Sequence, residues 1–210
     1  MTLSFANVFN EDYYENGIQK GIGLYENYRW MPTRSYEEAI TIQEDVFYYL
    51  DIKASILDLG CAKGYLVHAL RQLGLNAWGE DVSEYALENC HKSVHKYVSL
   101  PTLKHYDFII CKDVLEHIPE EHVLGFLKGI NDRCTAALFV IPLGENERYR
   151  IADYEYDVTH LIRRDEDWWL DKIKEAGFEL TSFTYKLGAI KKKWTKDYPY
   201  GNGFFQVSSK

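Results

Sequence analysis

The chain has 210 residues, the length of one domain or of one domain with a small cap. Its 46% hydrophobic and 27% charged content is ordinary globular composition and excludes global disorder. With 32 Asp and Glu against 24 Lys and Arg the net charge is -8, and an acidic surface repels phosphate backbones, so nucleic acid is disfavoured as the main partner. The longest apolar run, 136–141, is far short of the roughly 20 residues that a membrane helix needs. Positions 1–10 lack the basic start and apolar stretch of a secretory signal. Cys61, Cys90, Cys111 and Cys134 form no Cys-x-x-Cys pair, read as reduced thiols, and fit a cytoplasmic setting.

Residues 1–34 are rich in Tyr, Asn, Glu and Gly without sustained periodicity, and are expected to form a cap of short helices and loops. The spacing Ser35-x-x-Glu38 is a capping box that predicts a helix to about Leu50, with Ala39, Val46, Phe47 and Leu50 on one side. Residues 55–59 predict a strand broken by Gly60, and 65–73 a helix closed by Gly74. A second strand follows over 76–80, then a short helix over 84–90 capped by Ser83. Residues 94–100 predict a weak third strand and 106–111 a strong fourth. Pro119 suits the first turn of a helix ending near Asn131. The run 136–141 reads as a central strand covered on both faces. The polar, aromatic stretch 144–160 reads as a long loop, which in compact domains is usually a functional lid or disordered. Asp165 caps a helix ended by Gly177, and 178–185 and 204–208 predict two closing strands with no helix between them. Alternating strands and helices imply a parallel sheet, and the closing hairpin implies one antiparallel strand in it.

The sharpest local feature is Ile56-Leu-Asp-Leu-Gly-Cys-Ala-Lys-Gly64, a strand, a tight turn and a helix start. Its Gly60-x-x-x-Gly64 spacing is neither the G-x-G-x-x-G of a dinucleotide site nor a P-loop, and alone it could be an ordinary βα turn. Asp58 would repel pyrophosphate but favour an ammonium. The second strand ends at Glu80-Asp81, about 20 residues on, where a carboxylate can accept both hydroxyls of a ribose. A solvated, helix-capping acid is the plainer reading for Glu80, less so for Asp81.

Together with Trp78-Gly-Glu-Asp-Val-Ser83, Tyr106-Asp-Phe-Ile-Ile-Cys-Lys-Asp-Val-Leu-Glu-His-Ile118 and Asp157-Val-Thr-His160, this loop resembles the class I S-adenosylmethionine-dependent methyltransferases, most of all the branch acting on small molecules. The resemblance spans about residues 35–210, the expected methyltransferase domain, with 1–34 as its cap. It implies an α/β, Rossmann-like fold: a seven-stranded, mostly parallel sheet in the order 3-2-1-4-5-7-6, strand 7 antiparallel, with helices on both faces and a helical N-terminal cap. It implies S-adenosyl-L-methionine as cofactor and S-adenosyl-L-homocysteine as product. Gly60, Cys61 and Gly64 would approach the methionine part through backbone atoms, Asp58 its amino group, and Asp81 the ribose. Val82, Ser99 and Leu100 would flank the adenosine, although the acidic residue common near adenine is absent from 98–102. Lys112, Asp113 and His117 would line the methionine side or the substrate mouth.

Methyl transfer is an in-line displacement at a sulfonium, so alignment supplies much of the rate, and a hydroxyl acceptor also needs a base. Of seven histidines, His68, His91, His95, His105 and His122 are expected at the surface. His117 could anchor a loop or touch the ligand. His160, on the substrate side, is the favoured base or substrate-orienting residue, against the alternative of hydrogen-bonding the lid backbone. Tyrosines crowd the cap and the 144–160 loop; most are expected to seal loops, with Tyr14, Tyr28 and Tyr154 as substrate contacts. The cap pattern resembles methyltransferases of sugar, polysaccharide and natural-product pathways, in which Arg29 could pair with the cofactor carboxylate. Lys191-Lys-Lys-Trp-Thr-Lys196 could meet RNA or a nucleotide-diphosphate head group but reads chiefly as a solvated hairpin loop. Asp113 and Glu116 could offer carboxylates to a cation, yet acids clustered after one strand are common and no metal is expected.

These readings converge on transfer to an oxygen or nitrogen of a small polar metabolite, such as a nucleotide-linked sugar or glycan intermediate, by a monomer or homodimer. The alternatives are an RNA-modifying methyltransferase, a nicotinamide oxidoreductase (opposed by the glycine spacing) and a cofactor-binding scaffold that transfers nothing.

Overall fold

The computed structural model describes residues 5–46, 51 and 53–209. Seven strands form one sheet: β1 (Ser55–Leu59), β2 (Asn76–Glu80), β3 (Val98–Ser99), β4 (Tyr106–Lys112), β5 (Cys134–Pro142), β6 (Glu179–Thr184) and β7 (Asn202–Ser208). Their order is 3-2-1-4-5-7-6, parallel throughout except that β7 runs antiparallel to both β5 and β6. The helices are α1 (Glu11–Lys20), α2 (Pro32–Thr41), α3 (Tyr65–Gln72), α4 (Glu84–Glu88), α5 (Glu120–Asn131), α6 (Glu166–Glu175) and α7 (Lys192–Asp197).

Alternate residues of each inner strand face opposite sides, as the pleat requires. Leu57, Ile109 and Phe139 join Leu127 of α5 and Trp169 of α6 on one side. Ile56, Phe108 and Leu138 join Val67 and Leu70 of α3 and Ala39 of α2 on the other. Both faces of β1, β4 and β5 are thus covered, which is why their sequences are apolar without alternation. Among the described residues no helix is long and apolar enough to cross a membrane.

Four expectations need correction. Helix α2 starts at Pro32 and leaves Ser35 inside it, so the capping box is not used: proline at the first helical position already supplies the helical φ and lacks the amide that a cap would satisfy. Its onward course widens into a π turn at Ile42–Val46; Phe47 and Leu50, and the Val46 side chain, lie outside the described residues. The expected strand 94–100 is mostly a 3-10 turn, Lys92–Tyr97, because His91 caps it through Ser93 N and Val94 alone turns inward. The closing hairpin contains α7. The 144–160 stretch is ordered into a two-stranded ribbon (Gly144–Glu145 with Arg148–Tyr149) and a 3-10 turn, Ala152–Tyr156.

The cap lies across the carboxyl ends of the strands. Asn10 caps α1 by accepting Tyr13 N, and Gly21, at φ 63°, ends it. Glu15 pairs with Lys63 of the glycine loop, Ser83 Oγ donates to Phe9 O, and Tyr13 Oη donates to Asp157 Oδ2 at 3.0 Å.

Candidate active site

The turn after β1 is built by positive φ: 80° at Gly60, 48° at Ala62 and 70° at Gly64. A Cβ on Gly60 would stand 2.3 Å from Val114 Cγ2, so only glycine fits. Gly60 N and Cys61 N both donate to Glu80 O, at 2.7 and 3.1 Å, while the Cys61 thiol turns inward against Gly79. Asp81 locks the same turn to the tip of β2: Oδ2 accepts Ala62 N at 2.7 Å and Oδ1 accepts Ser83 N at 2.8 Å. Burial raises its pKa, and those amides oppose the rise. Beside it Val82, Ser99 and Leu100 are exposed, the first and last as apolar side chains. Glu80, by contrast, is not solvated: it is 1% exposed, and Arg133 Nη2 donates to both its oxygens, at 2.9 and 2.8 Å.

A cavity of about 60 Å³ opens beside Gly60, walled by Asp58 and Glu38, by Arg34 and Lys112, and by Tyr28. Two acids and three cationic side chains, the exposed Arg29 with Arg34 and Lys112, line one small space and can meet the ammonium and carboxylate of an amino acid. Burial pushes Asp58 up to about 7, against the pull of Lys112 and with the help of Glu38 and Asp81. Arg34, whose Nε donates to Glu38 Oε1 at 3.2 Å, was missed in the sequence; the expected Arg29 is exposed on the wall of both cavities. Placing the helix start at Pro32 would have put Arg34 and Glu38 one turn apart on one face.

Through Tyr28, Arg29, Met31 and Arg34 this space adjoins a larger cavity of about 510 Å³, lined also by Tyr13, Tyr25, Tyr154 and Trp194. Tyr14 is buried instead between Tyr13, Tyr28 and Tyr85, outside the lining of either cavity. Tyr154 lines the larger one, with its hydroxyl tied to Lys191 Nζ at 2.8 Å and Asn202 Oδ1 at 3.1 Å. Lys191 is not part of a solvated loop. It is 6% exposed and ion-paired with Asp113, which has φ 58° at the end of β4. Burial alone would raise the Asp113 carboxyl, but Lys191 and Lys112 outweigh it and hold the group low.

The cavity wall includes Glu116, His117 and His160, whose donor atoms lie within 4.8 Å of one another, all three buried. The sequence reading weighed these residues separately and assembled no such set. Glu116 and His117 sit in a 3-10 turn after β4, and His160 follows Asp157-x-Thr159. His117 Nδ1 faces Thr159 Oγ1 at 2.8 Å and Thr159 O at 3.2 Å; His160 Nδ1 faces Tyr154 O at 3.0 Å. A carbonyl only accepts, so both rings carry their proton on Nδ1 and leave a lone pair on Nε2. Burial, with His160 nearby, pushes His117 down to about 4, and burial likewise lowers His160, so both stay neutral at pH 7. Neither oxygen of Glu116 has a hydrogen-bond partner, and burial together with Asp113 raises its pKa well above the usual carboxylate range. Two neutral imidazoles and an unpartnered carboxyl, which would give up its proton to bind, form a donor set suited to a divalent transition ion or zinc. Of the remaining histidines, His95, His105 and His122 are exposed, whereas His68 and His91 are half-buried and stacked with centroids 4.0 Å apart.

Residues 33–183 match the model of a family described as a methyltransferase domain. The ubiquinone biosynthesis O-methyltransferase of Marinobacter nauticus is 24% identical over 210 aligned positions, covering 84% of this chain and 88% of the relative. The mitochondrial protein of the same name from Schizosaccharomyces pombe is 24% identical over 185, covering 70% of this chain and 64% of the relative. Magnesium protoporphyrin IX methyltransferase of Synechocystis PCC 6803, solved with bound SAM, superposes with a TM-score of 0.65 at 14% identity, covering 100% of this chain and 99% of that one. The mitomycin 7-O-methyltransferase MmcR superposes at 0.62 and 14% identity, covering 85% of this chain and 53% of that one.

Proposed function

The chain belongs to the methyltransferase-domain family and takes its methyl group from S-adenosylmethionine; on that footing we propose that it methylates a hydroxyl oxygen of a small molecule, at a divalent cation held by Glu116, His117 and His160. The observation that carries the reading is the buried trio of donor groups, with both Glu116 oxygens unpartnered, on the wall of a cavity that shares Tyr28 with the cofactor's amino-acid cleft.

In this reading Asp58 and Glu38 take the cofactor's ammonium, Arg34 and Lys112 its carboxylate, and the second lone pairs of Asp81 the ribose diol. Val82 and Leu100 flank the base. The absence of any possible side chain on Gly60 supports close backbone approach there. Tyr28, at the junction of the two cavities, presents an aromatic ring toward the sulfonium, an arrangement that attracts a cation. A divalent cation supplies Lewis acidity and lowers the pKa of a hydroxyl that it binds. Thr159 and the Tyr154 carbonyl hold both Nε2 atoms unprotonated, and Asp157 fixes Thr159 by accepting its hydroxyl at 2.5 Å. With both Nε2 lone pairs committed to the cation, the acceptor hydroxyl gives its proton to solvent water, its oxygen forms a bond to the methyl carbon, and the carbon–sulfur bond breaks with its electron pair going to sulfur, leaving a neutral thioether.

Oxygen rather than nitrogen is supported by relatives named O-methyltransferases. A nucleotide-linked sugar or glycan intermediate is one class that such a site could methylate, and nothing in the cavity lining singles it out. In a test with methyl-labelled cofactor, label should enter a metabolite extract and not an RNA pool. It should depend on added Mg²⁺, Mn²⁺ or Zn²⁺ after chelation. His160→Ala should lower turnover by about 100-fold or more with product-cofactor affinity unchanged. Full activity in His160→Ala, or in the chelated protein, would refute the reading.

A further inference from the structure

The larger cavity is electrically lopsided. Its wall carries Glu116 and Asp157, both buried, while Arg29 and Lys193 are exposed. The three consecutive lysines at 191–193 go to three different places. Lys191 pairs with Asp113, Lys192 Nζ lies 3.6 Å from Glu37, and Lys193 lines the cavity, 5.5 Å from the Trp194 ring centroid. Among the described residues neither Arg29 nor Lys193 has a carboxylate within salt-bridge distance, although Arg34, Lys112 and Lys191 beside them all do. Arg29 and Lys193 thus bring two positive charges without ion-pair partners to the lining of one cavity. Glu26 is the one exposed acid on the same wall, so the exposed charge there sums to positive. The Trp194 indole, packed on Tyr154 at 5.3 Å, adds a flat apolar surface beside Lys193.

We propose that the acceptor is an anion: a small molecule with its reactive hydroxyl at the Glu116–His117–His160 end and a carboxylate or phosphate gripped by Arg29 and Lys193, its planar or apolar body lying on Trp194. This rests on the O-methyl transfer reading and narrows its substrate class. A guanidinium offers a carboxylate or phosphate two parallel hydrogen bonds, and an ammonium adds a point charge beside it.

The test uses the full chain with product cofactor bound and titrates phenyl phosphate, benzoate and benzyl alcohol by calorimetry. At least one of the two anions should bind about tenfold or more tightly than the neutral alcohol. The advantage should vanish in Arg29→Gln/Lys193→Gln and shrink at high salt. The better of the two anions identifies the charged group. In parallel, an anion exchanger splits the metabolite extract, and labelled methyl should enter the retained fraction. Equal affinity for anions and alcohol, an anion preference that survives the double substitution, or label confined to the flow-through would each overturn the proposal. Label in neither fraction, with product cofactor bound normally, would instead remove the transfer reading on which it stands.

Discussion

Asp58 should make cofactor binding depend on pH. Its carboxyl is buried among Glu38, Asp81 and Lys112, and burial, only partly opposed by Lys112, pushes its pKa up to about 7. An arriving ammonium needs the carboxylate, so the observed dissociation constant is the intrinsic one divided by the ionised fraction. That fraction falls from about 0.5 at pH 7 to about 0.01 at pH 5, which weakens binding about 50-fold across those two units. For stability of the free protein the sign is opposite to that of an ion-paired acid. The folded state holds this proton more tightly than the unfolded chain, so Asp58 costs stability as pH rises from about 4 to 7. Calorimetry with S-adenosylhomocysteine at pH 5, 6 and 7, in buffers of differing ionisation heat, reads both the affinity and the proton released on binding. Asp58→Asn should bind weakly and lose most of the pH slope. An equal slope in wild type and Asp58→Asn would refute the assignment.

Other outcomes follow from contacts of the same sheet end. Gly60→Ala places a Cβ 2.3 Å from Val114 Cγ2 at a φ of 80° and should abolish the thermal shift given by product cofactor; a normal shift would mean that the turn is not part of the cleft. Arg133→Ala leaves Glu80, 1% exposed, with the Thr102 hydroxyl as donor but without its cation, and urea unfolding should lose about 3–5 kcal/mol. A loss below about 1 kcal/mol would show that the pair is screened by water.

The sheet was legible because its evidence is local. Largely apolar stretches at 55–59, 106–111 and 136–141, each stopped by glycine, proline or charge, became β1, all but the last residue of β4, and the middle of β5. The turn after β1 and the place of Asp81 at the tip of β2 were legible for the same reason, since each follows from where its strand ends. What failed depended on partners distant in sequence. Glu80 looked solvated because Arg133, 53 residues away, is invisible from its neighbours. Lys191 looked like part of a solvated run because Asp113, Tyr154 and Asn202 gather around it only in the fold. The donor trio joins a turn after β4 to a loop after β5, so Glu116 and His160 meet only once those strands pair. Arg34 was lost to a different cause, a helix start placed three residues late.

The most direct measurement is a carbon NMR spectrum of the product formed with ¹³C-methyl-labelled cofactor, taken with a divalent cation present and again after chelation. A methoxyl resonance that appears with the cation and fails without it is the predicted result. An N-methyl resonance, or a methoxyl signal indifferent to chelation, would contradict a hydroxyl activated at Glu116, His117 and His160.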